Sequence, residues 1–281
     1  GVKNENTKIL ELSGTPFNIM GNYDEDHIYT WDYVMEQEAK CGWEKEHPDE
    51  KNPYENLPKV LMYTFDIAEQ FRDKNYTDLL DKSFNFKEFF RTDDEGEFVH
   101  KQDVIKFLDN ITSPDEKTNY PFSTQKFREN LRHTLWILPG VKEANALEKL
   151  MKKHQVFGFG YNIVNVVKDD KSDNVETSNA NDLKKVRDAI GNDPSATRTI
   201  TLTVRKLTTG VNVPEWTGVV FLSNTTSAMQ YLQAAFRAQT PFFDEKMGRK
   251  AECFIFDFAP DRALTVMAES SGLNTGVGKK A

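Results

Sequence analysis

Thr134-Leu135-Trp136-Ile137-Leu138-Pro139-Gly140-Val141, continuing to Lys153, is the stretch on which the fold reading turns. A short apolar run is followed by a Pro-Gly turn. Beyond it, apolar residues at 141, 144, 147, 150 and 151 fall on one face of a helix. The unit is therefore strand, turn and helix. Working outward, further strands are expected at Tyr161–Val167, Thr199–Val204, Gly218–Leu222 and Glu252–Phe258, with helices near Asn181–Ile190 and Ser227–Arg237 between them. Several of these runs are β-branched or aromatic without polar alternation, as strands covered on both faces require. Residues 131–281 thus read as α/β with a mainly parallel sheet. The polar stretches Lys168–Glu176 and Ser178–Asn181 read as a surface loop, and the tail from Ser270 as frayed.

The front of the chain has a different rhythm. Lys8–Leu12 reads as a strand that Ser13-Gly14-Thr15-Pro16-Phe17 ends in a tight loop. From Asp24 to Asn130 come aromatic-studded helical stretches, His27–Lys40, Ile67–Leu80 and Val104–Ile111, broken by Pro48, Pro53, Pro58 and Pro114. Lys59–Phe65 could be a strand among them. Nothing in this block alternates strands with helices, so it reads as an acidic, mostly helical insertion. Charge supports the division: residues 1–130 hold 16 Lys and Arg against 28 Asp and Glu, and residues 131–281 hold 20 against 16. Within a chain of net charge −8, only the back part is suited to face phosphate.

Composition excludes several classes. A hydrophobic fraction of 38%, with 20 Phe, 9 Tyr and 4 Trp among 281 residues, rules out a wholly disordered chain. No apolar run approaches the ~20 residues that span a bilayer, and the first residues lack a charged-then-apolar signal pattern, so a cytoplasmic location is expected. Cys41 and Cys253 stand alone, which excludes a disulfide framework and a four-cysteine zinc site. His27, His47, His100, His133 and His154 show no ligand spacing with either cysteine, so no metal site is expected. Cys253 reads as a small buried hydrophobe, and Gly158-Phe159-Gly160 as a turn before a strand. Asp244-Glu245-Lys246 has a nuclease-like D-x-K spacing without the upstream Pro-Asp pair, and reads as a charged loop.

Chemistry concentrates between Thr199 and Pro241. A buried strand leads into Leu207-Thr208-Thr209-Gly210-Val211-Asn212-Val213-Pro214, and after the next strand a helix carries Gln230, Gln233 and Arg237 along one face. Backbone amides around a Thr-Thr-Gly loop can bind phosphate, and an arginine can stabilise charge on a transferred phosphoryl group. The same threonines could instead cap a turn.

Taken together, Leu12–Phe17, Leu207–Pro214 and Gln233–Arg237 resemble motifs III, V and VI of superfamily 2 helicases and translocases, in the flavour of the motor subunits of bacterial restriction–modification enzymes. The resemblance covers 8–20 and 131–281. It implies a RecA-like second motor lobe in 131–281, a remnant of the first lobe in 1–20, and an insertion over 21–130. Ser13, Gly14 and Thr15 would couple nucleotide state to nucleic acid. Thr208, Thr209 and Gly210 would grip the phosphates of a strand. Gly210, Asn212, Gln233 and Arg237 would line the ATP cleft, with Gln233 and Arg237 as its catalytic pair. Three positions depart from the pattern: Asn212 stands for aspartate, Phe236 for glycine, and Thr240 for a second arginine.

The resemblance further implies ATP with Mg2+ as cofactors of the intact protein, DNA rather than RNA as the polymer, the missing first RecA-like lobe as a partner, and attached methyltransferase or nuclease modules. Neither a G-x-x-x-x-G-K-[ST] loop nor an acidic D-E-x-H segment occurs in the chain. The piece is accordingly expected to be a fragment that does not hydrolyse ATP by itself and holds no nucleotide tightly. Two other readings stay open: a degenerate motor lobe serving as a DNA-binding or assembly scaffold, and an unrelated α/β nucleotide-dependent transferase with its site beyond the strand ends.

Overall fold

The computed structural model describes residues 10–12, 20–71, 76, 84–167, 175–204, 207–208, 211–224 and 227–259. Six parallel strands form one sheet: β1 (Lys59–Thr64), β2 (His133–Ile137), β3 (Asn162–Asn165), β4 (Thr199–Thr203), β5 (Gly218–Phe221) and β8 (Glu252–Asp257). Their order is β1-β8-β5-β2-β4-β3, and every pairing is parallel. A two-residue hairpin, β6 (Phe243–Asp244) with β7 (Gly248–Arg249), precedes β8. The α/β class with a mainly parallel sheet is the one read from the sequence.

Strand periodicity sorts side chains onto two cores. Trp136, Ile200, Leu202, Val220, Leu222, Phe254 and Phe256 enter one, while Leu135, Ile137, Val219, Phe221, Cys253 and Ile255 enter the other. The first core is roofed by α2 (Phe86–Phe89), α3 (Lys101–Thr112), α4 (Gln125–Asn130), α5 (Val141–Met151) and α6 (Phe157–Gly160). The second is covered by α7 (Val175–Ile190), α8 (Ala228–Ala235) and the loop that joins β4 to β5. Because β4 and β5 both run parallel to β2, that loop must return from the carboxyl end of one strand to the amino end of the other, across the second face.

The stretch 21–130 shares the sheet rather than packing apart from it. β1 lies along β8, with Val60 opposite Cys253 and Tyr63 opposite Phe256. Phe86, Phe89, Phe90, Phe107 and Phe122 are fully buried in the same core as Trp136, Phe256 and Phe258. Ring pairs such as Phe107 with Phe258, centroids 5.2 Å apart, join the two parts of the chain.

Several local expectations are corrected. Leu10–Leu12 carry no strand; Leu10 and Leu12 are exposed, and no described strand lies beside them. The first helix, α1, runs Tyr33–Glu46 instead of His27–Lys40, because Asp32 caps it by accepting the Met35 amide proton at 2.9 Å. Of Ile67–Leu80, Ile67–Phe71 forms a 3-10 turn and the rest, apart from Tyr76, lies outside the described residues. The polar stretch taken for a loop becomes helical from Val175. Gly158-Phe159-Gly160 belongs to the short helix α6, where a Cβ on Gly158 would sit 2.4 Å from the Lys152 carbonyl oxygen. That close approach of backbone to backbone is the reason for the glycine. The tail from Ser270 lies outside the described residues.

Candidate functional site: the loop after β4 and the turn after α8

The loop after β4 opens on an unusual backbone. Leu207 has φ 60° and is buried, so an ordinary L-residue holds a left-handed conformation that costs on the order of 1 kcal/mol. Thr208, which follows it, is half-buried and bonded, and Thr209 and Gly210 lie outside the described residues. Then Val211 and Val213 turn into the second core while Asn212, between them, stays exposed. Alternation thus anchors the loop by its valines and presents Asn212 outward.

Helix α8 starts at Ser227, whose hydroxyl accepts the Gln230 amide proton. It buries Ala228, Tyr231, Ala234 and Ala235, leaving Gln230 exposed and Gln233 half-buried on the opposite side. The helix then tightens into a 3-10 turn, Phe236–Gln239, that carries Arg237. The Arg237 Nε donates to the Gln233 carbonyl at 3.0 Å, and one amino group, Nη1, donates to the Val211 carbonyl at 2.8 Å. Its side chain is half-buried, and burial lowers its pKa below the usual guanidinium value. The other amino group, Nη2, makes no hydrogen bond among the described residues. Two of the three motif-like segments are therefore joined, by a guanidinium on a backbone carbonyl. The third, Ser13-Gly14-Thr15, lies outside the described residues. Thr240 ends the 3-10 turn, half-buried.

Two further cations hold the same loop, and sequence reading did not find them. Arg187, near the end of α7, donates to the Asn212 carbonyl at 2.7 Å and to both carboxylate oxygens of Glu215 at 2.6 Å. Lys250, just before β8, is buried, and its ammonium donates to the carbonyls of Pro214 at 2.7 Å, Trp216 at 2.9 Å and Ala238 at 2.9 Å. Burial pulls its pKa down to about 8. No local sequence signal marks these contacts: apart from the Glu215 carboxylate, 28 residues from Arg187, their acceptors are main-chain oxygens that any residue supplies.

The remaining candidates take structural places. Asp244 accepts the amide protons of Lys246 and Met247 at 2.8 and 2.9 Å, which makes the D-x-K triplet a hairpin turn. Cys253 is buried, and burial pushes its thiol up to about 12, far from a reactive thiolate. Cys41 and Cys253 are both free. His133 is buried and neutral: its Nε2 donates to the Pro194 carbonyl at 2.9 Å and its Nδ1 accepts from the Thr199 hydroxyl at 3.0 Å. Among the described residues, no three His, Cys, Asp or Glu side chains gather as a metal-ion site, and no helix is long and apolar enough to cross a membrane.

No family model matches the chain. A Mycoplasma pneumoniae protein with the provisional name of a type II restriction enzyme and methyltransferase C-terminus is 28% identical over 289 residues, spanning 94% of this chain and 39% of that protein. The chain thus covers well under half of the length of this relative. Among solved structures, the ATP-dependent type ISP restriction–modification enzyme LlaBIII, bound to DNA, aligns with 73% of this chain and 12% of its own, at 13% identity and a TM-score of 0.42. A fragment from Vibrio vulnificus, provisionally an HsdR subunit of a type I restriction enzyme, aligns with 72% of this chain and 32% of its own, at 16% identity and a TM-score of 0.39. In sequence, the chain is similar to a restriction–modification protein over nearly its whole length, the group whose motor motifs it resembles.

Proposed function

We propose that this chain is the second, RecA-like motor lobe of an ATP-dependent DNA translocase from a restriction–modification system. One observation carries the reading: Arg237 Nη1 bonds the Val211 carbonyl, so that the segment resembling motif VI and the segment resembling motif V meet at one guanidinium. The pairing places a phosphate-seeking side chain beside the loop that would hold a strand.

The residues fit a nucleotide's phosphates on one side. Among the described residues Arg237 Nη2 makes no hydrogen bond, on a half-buried side chain, and Asn212 is exposed next in sequence to Val211, whose carbonyl Arg237 bonds. Arg237 would stabilise negative charge on the phosphates, Gln233 would stand one helical turn before it, and Asn212 would bond the sugar. Thr208, Thr209 and Gly210 would hold phosphates of the tracked strand. ATP with Mg2+, when bound, supplies the anhydride whose hydrolysis drives the motion. The nucleotide's other wall would come from a first lobe, and closure of the two lobes would carry this one along DNA. A cytoplasmic location and attached methyltransferase or nuclease modules belong to the same reading.

Thr240, in the place of a second arginine, favours a non-hydrolysing scaffold as the alternative. Alanine at Arg237 in the full-length protein distinguishes them. The motor reading predicts loss of DNA-stimulated ATP hydrolysis by ~10³-fold with DNA binding kept. Hydrolysis that survives the substitution refutes the assignment of Arg237, and a full-length wild type that hydrolyses no ATP on DNA refutes the motor.

A further inference from the structure

The loop and the Arg237 turn are held by more than their mutual contact. Lys250 sits between them, with three ammonium protons on three carbonyls: Pro214 and Trp216 from the end of the loop, and Ala238 from the residue after Arg237. Arg187 reaches the loop alone, through Asn212 and Glu215. Hydrogen bonds from a charged donor are roughly twice as strong as neutral ones, and burial keeps water from replacing them. A carbonyl left without its ammonium at this depth costs more than the bond was worth. The geometry therefore gives the two cations different jobs: one ties loop to turn, the other ties loop to α7.

We infer that Lys250 is a positioning residue that makes the 211–216 segment of the loop and the Arg237 turn move as one body, while Arg187 positions that segment alone. Resting on the motor reading, this coupling would transmit a change at the nucleotide wall to the strand grip without passing through the sheet. Lys250 touches neither nucleotide nor DNA in this scheme. It sets the distance between the residues that would.

Amide hydrogen exchange in the full-length protein tests the coupling. In the wild type, protected amides in 211–216 and 236–239 should open with one common free energy; two separate openings overturn the inference without any variant. In Lys250→Met, both segments should lose protection by on the order of ten-fold or more, with α5 and β2 unchanged. In Arg187→Met, which leaves the Lys250 tie intact, the two segments should lose protection by the same factor. Loss in one segment alone for Lys250→Met, or uniform loss throughout the sheet, overturns the inference. As a functional readout, Lys250→Met should lower the DNA-stimulated kcat for ATP by on the order of ten-fold while KM moves less than about three-fold; an unchanged kcat overturns the positioning role. A protein without ATP hydrolysis sinks the motor reading only, and exchange still decides the coupling.

Discussion

The two faces of the sheet are held by different physics. On one, Phe86, Phe89, Phe90, Phe107, Phe122 and Trp136 are fully buried, and their rings meet one another and Phe258 at stacked and edge-on distances. On the other, the core is smaller in its side chains, and the loop above it is fixed by three cations on main-chain oxygens. Aromatic burial is non-directional and scales with area, so the first face resists every displacement about equally. Bonds from Arg187, Arg237 and Lys250 are few and directional, so the second face can be rigid in one arrangement and is loosened stepwise as donors are lost, each of the three leaving the other two in place. The proposed motor role would use both: a body that does not deform and a working surface whose contacts can be exchanged.

That contrast can be broken from either side. The largest stability effect is expected on the aromatic face: Phe256→Ala should cost about 3–5 kcal/mol, read as a lowered urea midpoint at unchanged slope. Arg187→Met, on the clamp face, should cost about 1–2 kcal/mol, because its side chain is partly exposed while Glu215 is mostly buried and left without a partner. Equal losses at the two positions would erase the distinction between the faces.

Acid sharpens it further. Burial holds the His133 pKa below the ordinary value, so the folded state refuses a proton that the unfolded chain accepts below about 6.5. Stability contributed by the neutral ring is complete above that pH and is lost as pH falls toward the folded pKa, by at most about 1.4 kcal/mol per pH unit. His133→Gln should flatten this part of the acid limb in urea titrations taken from pH 7 to pH 5; an unchanged limb would show that another group sets it. The smallest effect is expected at the solvent-exposed pair Lys184–Asp188 on α7. Asp188→Asn should change stability by less than about 0.5 kcal/mol, and a larger loss would mean that α7 is held by its surface charges rather than by Val186 and Ile190 in the core.

Legibility followed the same division. Positions of the five strands of the main sheet after residue 131 are readable because each is an apolar run bounded by turn residues, and the observed bounds differ by one or two residues at the ends. β1 was seen as a strand, Lys59–Phe65, but its place in the sheet was not, since parallel pairing with β8 across nearly two hundred residues leaves no local trace. The start of α1 is marked by Asp32, a helix-capping residue, whereas the aromatic-studded pattern begins upstream at His27. α7 was shortened because its first turns are polar, and a solvated helix and a loop share that composition.

The site divides likewise. Thr208, Asn212, Gln233 and Arg237 are candidates from their order along the chain, and the structure joins the loop and the turn that carry them. Arg187 and Lys250 were not found, because a side chain that bonds carbonyls recognises backbone shape, which the sequence does not spell out. Ser13, Gly14, Thr15, Thr209 and Gly210 fall outside the described residues, so their roles rest on the resemblance alone.

The central claim is that Arg237 faces the phosphates of a nucleotide while the loop it bonds holds a strand. The direct measurement is the DNA-stimulated kcat for ATP of full-length wild type against Arg237→Ala, taken at DNA concentrations that saturate both. The account predicts a ratio of ~10³ with the same DNA affinity in the two proteins; a ratio near one, at equal DNA occupancy, would contradict it.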